Sequence, residues 1–90
     1  MNLLERQPER LEAFREAVAK IVGPARAHVA SGTKAGEESL SHLISELRYA
    51  GWKVGGDYVD HVDTLKAAGF AIRVNVAGRS VRTYVSKDSE

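Results

Sequence analysis

The sequence predicts an α+β domain: three helices followed by a C-terminal two-stranded β-hairpin. Two observations predict the helices. Apolar residues recur at helical spacing in three stretches, about 8–22, 37–50 and 57–68, and each stretch stops at a glycine: Gly23, Gly51 and Gly69. The third observation is a change of period. From Phe70 to Ser86 the apolar residues alternate, and the alternation is interrupted once, at Gly78-Arg79.

The first helix opens at Pro8, where a missing N–H costs nothing, with Glu9 and Glu12 near the positive end of the helix dipole. Leu11, Phe14, Val18, Ile21 and Val22 form one apolar stripe, and Arg10, Glu16 and Lys20 lie opposite. Such a stripe must be covered, either by its own domain or by a second copy through Leu11, Phe14 and Val18. The first boundary therefore falls after an N-terminal helical unit, 1–30. The small polar run at 31–36 reads as a loop or flexible joint. Its Gly32-Thr33-Lys34 order lacks the spacing of a phosphate-binding loop, and no buried strand precedes it.

The second helix is expected over 37–50, burying Leu40, Leu43, Ile44 and Leu47 and showing Ser41, Ser45 and Arg48 to solvent. Between it and the third helix, Trp52 reads as core or as a lid. Val54 is the expected place of a short strand, and Gly55-Gly56 permits a reversal. With a strand there, no room remains for a helix before the next one. Asp57 caps the third helix, which turns Tyr58, Val62 and Leu65 inward, with Val59 on the flank and Asp60, His61, Asp63, Thr64 and Ala67 outward.

In the hairpin, Ile72, Val74 and Val76 share a face with Val81, Thr83 and Val85. Arg73, Asn75, Ser80, Arg82 and Tyr84 take the other. A two-residue loop with glycine first suits a type II′ turn. That register pairs Val76 with Val81, Arg73 with Tyr84 and Ile72 with Val85, giving an apolar underside and a positive upper face and tip. The unit 37–86 is thus one domain, followed by a tail at 87–90.

Composition narrows the function classes. Ninety residues support one small core. There is no cysteine, so neither a disulfide framework nor a thiolate metal site is available, which suits a reducing cytoplasm. No apolar run approaches the ~20 residues of a membrane span, and the first residues lack a secretory signal's apolar block. The expected setting is cytoplasmic. A net charge of +1 makes any affinity for nucleic acid a matter of local charge.

The stretch Leu43-Ile-Ser-Glu-Leu-Arg-Tyr-Ala-Gly-Trp-Lys-Val-Gly-Gly56, then His61-Val-Asp-Thr-Leu-Lys-Ala-Ala-Gly-Phe-Ala-Ile-Arg73, then Gly78-Arg79, resembles the winged helix-turn-helix superfamily. It is similar in particular to the N-terminal DNA-binding module of biotin-ligase repressors, over roughly the last half of the chain. The resemblance implies a winged helix acting as a DNA-binding transcriptional regulator or accessory factor, with the third helix in the major groove and the hairpin as wing. By position it implies Tyr58, His61 and Thr64 on bases. Arg73, Arg79 and Arg82 fall on phosphate, and Lys66 is the cation of the third helix.

That helix also carries Asp57, Asp60 and Asp63, and carboxylates are repelled by phosphates. The alternative reading is a winged-helix inhibitor or adaptor that meets a protein partner through these three aspartates. The expected partners are thus double-stranded DNA or a protein, and a second copy of the chain, with no membrane. Catalysis, cofactors and metals have little support. His28, His42 and His61 are dispersed, Asp57 and His61 at i, i+4 read as a solvated pair, and Ser39, Ser41 and Ser45 lack the context of a nucleophile.

Overall fold

The computed structural model describes residues 8–28, 30 and 32–87. Residues 1–7, which read as lacking a signal's apolar block, and the expected tail beyond Lys87 lie outside them. Three helices, α1 (Pro8–Val22), α2 (Leu40–Tyr49) and α3 (Tyr58–Ala67), combine with β1 (Glu37–Ser39), β2 (Ala71–Ala77) and β3 (Ser80–Ser86). The three strands form one antiparallel sheet in the order β1-β3-β2. Among the described residues no helix is long and apolar enough to cross a membrane.

The third strand is therefore not near Val54, which lies in irregular backbone, but at the front of the segment expected to be helical. The cause is local. Ser39 adopts an extended conformation (φ −65°, ψ 144°), and its side chain accepts a hydrogen bond from the His42 N–H, capping a helix that begins only at Leu40. Glu37, Glu38 and Ser39 are left extended and pair with Ser86, Val85 and Tyr84. This placement also removes the expected gap before the third helix, because α2 itself lies between the first strand and α3. The resulting order, helix-strand-helix-helix-strand-strand, is compatible with a winged-helix arrangement.

The first helix belongs to the core of this domain. Phe14, Val18 and Val22 are buried in one cluster with Leu40, Leu43, Ile44, Leu47, Leu65, Ala68, Phe70 and Val85, and Leu11 packs against its margin. Burying side chains of this size stabilises by roughly 1.5–3 kcal/mol each. A dimer through Phe14 and Val18 would therefore have to open the monomer. Trp52 lies half-buried over α1: its ring meets Phe14 edge-on, with centroids 5.6 Å apart, and the Arg10 guanidinium stands 5.7 Å from it on the next turn. From the same helix the Arg15 Nε donates to the Ala68 carbonyl at 2.9 Å, a cation on the C-terminal end of α3.

The connection 25–36, whose run at 31–36 reads from the sequence as a loop or flexible joint, is a hydrogen-bonded loop at its described residues. Thr33 is buried, its carbonyl and hydroxyl oxygens both accept from the His28 N–H (3.2 and 3.0 Å), and the Gly36 N–H donates to the Ala25 carbonyl at 2.9 Å. The hairpin has the expected register throughout, Ala71 opposite Ser86 to Ala77 opposite Ser80. Gly78 has φ +61° while Arg79 stays at negative φ, which excludes a type I′ turn and fits type II′. Only the base of the underside is buried, however. Val85 is inaccessible, whereas Val74, Val76 and Val81 are 50, 65 and 60% exposed, because the distal half of the hairpin projects past the helices.

Candidate nucleic-acid interface

The start of α3 is held by a reciprocal pair of side chains. The Asp57 carboxylate accepts from the Asp60 N–H and the Asp60 carboxylate accepts from the Asp57 N–H, each at 3.1 Å. Gly56 makes room for it: at φ +88°, a Cβ there would stand 2.6 Å from the Asp60 Oδ2. Two of the three aspartates expected as an acidic contact surface are thus engaged in ending their own helix, and their charge lies against the positive pole of α3. Asp63 remains as the exposed carboxylate of the helix body.

The residues implied as base readers are also engaged locally. Tyr58 is half-exposed, and its hydroxyl shares a 2.8 Å hydrogen bond with the hydroxyl of Thr83 on β3, tying the first turn of α3 to the hairpin. His61 Nε2 lies 3.2 Å from the Gly55 carbonyl, and the Thr64 hydroxyl donates to the backbone carbonyl of Asp60 at 2.7 Å. Both are partly covered. Beyond the Tyr58 and Asp60 of the first turn, the exposed residues of α3 are Val59, Asp63 and Lys66, at spacing four and three, with Ala67 beside them. Val59, read as flank from the sequence, is 59% exposed. Of the residues that the spacing turns inward, Leu65 is buried and Val62 partly so, whereas Tyr58 is 46% exposed, because its ring lies along the hairpin and not under it.

Arg73 departs furthest from its implied role. Its Nε and a terminal nitrogen donate to the two oxygens of Glu37 at 2.7 and 2.8 Å, and the same terminal nitrogen reaches the Gly32 carbonyl at 3.1 Å. The guanidinium also stacks 4.3 Å from the centre of the buried Tyr84 ring, the expected cross-strand pair. Glu37 accepts from the Lys34 N–H as well. The Arg73 hydrogen bond holds the Glu37 carboxyl below its usual range against the opposing effect of burial, and Glu37 in turn raises Arg73. A phosphate would have to break this bidentate pair, so Arg73 acts in fastening β1 and the 25–36 connection to the hairpin. The sequence shows Arg73 opposite Tyr84 but carries no signal that Glu37 arrives from 36 residues away.

Arg79 at the turn and Arg82 on β3 are exposed, as are Lys66 on α3 and Lys53 in the link between α2 and α3. An open groove of about 380 Å³ runs along the N-terminal end of α2, lined in part by Ser39, Ser41, Tyr58, Arg82 and Thr83. Among the described residues no cluster of three histidine, aspartate or glutamate side chains is placed to hold a metal ion. The Asp57–His61 pair is occupied as described above. Comparison with known proteins returned no match to a protein-family model, to a curated protein or to a solved structure.

Proposed function

We propose that this chain is a winged-helix DNA-binding protein, a transcriptional regulator or accessory factor working in the cytoplasm, that presents α3 to a groove and the hairpin tip to the backbone. The observation that carries the reading is the placement of a helix pair, α2 and α3, immediately before a projecting hairpin with arginines at and near its tip. The capping box supports it, because Asp57 and Asp60 balance the α3 terminus instead of confronting phosphates. The DNA-facing cations are then Lys66, Arg79 and Arg82, without Arg73.

Two or three phosphate contacts imply a log affinity that falls with log salt at a slope of roughly −2 to −3 on duplex DNA. Arg79→Ala should weaken all duplexes alike and make the slope shallower by about 1. Absence of duplex binding at low salt would remove the reading.

A second reading is favoured by the exposed Val59 beside Asp63, an apolar and acidic combination suited to a protein partner. Asp63→Asn separates the two, since Asp63 carries no cap. On DNA, removing a repelled carboxylate should raise affinity by a factor of about 2–5; on a basic protein partner the same change should slow association. Loss of duplex affinity in Asp63→Asn would contradict the DNA reading.

A further inference from the structure

The sheet order makes β2 an edge strand. Its two-residue turn closes on the hydrogen-bonded pair Ala77 and Ser80, so Ala71, Arg73, Asn75 and Ala77 direct their N–H and C=O groups to β3. Ile72, Val74 and Val76 direct theirs to the open side. Edge strands are ordinarily protected by lysine, proline, a bulge or brevity. β2 has none of these: it runs seven residues in unbroken register, and its single charge, Arg73, is bound to Glu37 on the upper face. Along its distal half every residue from Val74 to Ala77 is exposed, and Val74, Val76 and the neighbouring Val81 form an apolar row on the underside.

We propose that β2 is a self-association edge, pairing antiparallel with β2 of a second copy about a two-fold axis at Val74. The strand is self-complementary in that register. Val74 meets the partner's Val74, Val76 meets the partner's Ile72, and all seven residues overlap. Each outward-facing residue meets another outward-facing one, so six inter-chain backbone hydrogen bonds form; a slip by one residue would forfeit them. Charge agrees as well, because Arg73 falls opposite the partner's Asn75 and no like charges are opposed. The two underside rows join into one apolar strip. The opposite edge of the sheet offers nothing comparable, being three residues long with Glu37 and Glu38 in it. An isologous contact of this kind closes as a dimer and does not propagate. A contact of one strand against another is at the small end of specific interfaces, so the dimer is expected to be weak and to dissociate on dilution.

The test needs no DNA, so its failure leaves the DNA reading untouched. Sedimentation equilibrium on the full chain from about 10 μM to about 1 mM should show a monomer–dimer equilibrium. Val76→Lys places a charge in the strip at a position already exposed in the monomer, and it should weaken the dimer at least tenfold with an unchanged circular dichroism spectrum. Amide exchange of the unsubstituted chain gives a second readout that depends on no variant. Protection at Val74 and Val76 should rise with concentration, while Asn75, bonded to β3, stays protected throughout. A monomer over the whole range, a dimer that Val76→Lys leaves intact, or a dimer in which the Val74 and Val76 amides exchange freely would each overturn the proposal.

Discussion

Replacing Phe14 by alanine is expected to cost about 3–5 kcal/mol of folding stability, the range for emptying a buried aromatic site. Phe14 is 5% exposed and stands between the rest of the α1 stripe and the Trp52 ring, which meets it edge-on. Because Trp52 packs on α1 against both Phe14 and, one turn away, Arg10, the truncated side chain leaves a void that α1 fills only by moving. Small domains are stable by roughly 5–15 kcal/mol, so the variant should be close to the unfolding midpoint in modest urea. Urea unfolding followed by the fluorescence of the single tryptophan measures it directly. The loss should be the same at low and high protein concentration, since Phe14 is buried within one monomer. A loss under about 1 kcal/mol, or one that appears only on dilution, would mean that α1 is not part of this core.

Arg73→Ala should lower the melting temperature by roughly 5 °C at neutral pH, the scale expected when a partly exposed bidentate pair is broken and its better-buried carboxylate left behind. Glu37 is the more deeply buried member, and without Arg73 its carboxylate keeps the hydrogen bond from the Lys34 N–H. The same pair predicts the acid behaviour of the unsubstituted chain. Folding lowers the Glu37 carboxyl below its ordinary value of 4.5, chiefly through the Arg73 hydrogen bond. The stabilisation is therefore complete above that value and is lost as pH falls through the lowered, folded-state one. Arg73→Ala, which removes the cause of the shift, should flatten this acid limb while lowering stability near pH 7. An unchanged acid limb would show that Glu37 is not the group responsible.

Both predictions concern residues whose partners lie far away in the chain, and the same distinction separates what was legible in the sequence from what was not. The α+β class, the three helices and the hairpin register follow from local rules. Gly78-Arg79 permits few turns, period two then fixes Arg73 opposite Tyr84, and the spacing of Leu40, Leu43, Ile44 and Leu47 marks one helix face. Asp57 as a cap was legible for the same reason, since a cap is made by residues three apart. That Asp60 returns the bond was equally local and was missed, because on a helical wheel it reads as an exposed carboxylate.

Tertiary structure alone decided the remainder. Glu37 to Ser39 have no apolar alternation to mark a strand; they are extended because β3 is there to pair with them and Glu37 meets Arg73. An apolar stripe shows that α1 must be covered, but its spacing carries no information on whether the cover is the same chain or another. Likewise, alternation assigns Val74, Val76 and Val81 to one face without showing where the helices beneath that face end. Periodicity encodes direction, whereas burial depends on what stands in that direction, and only the assembled fold supplies it.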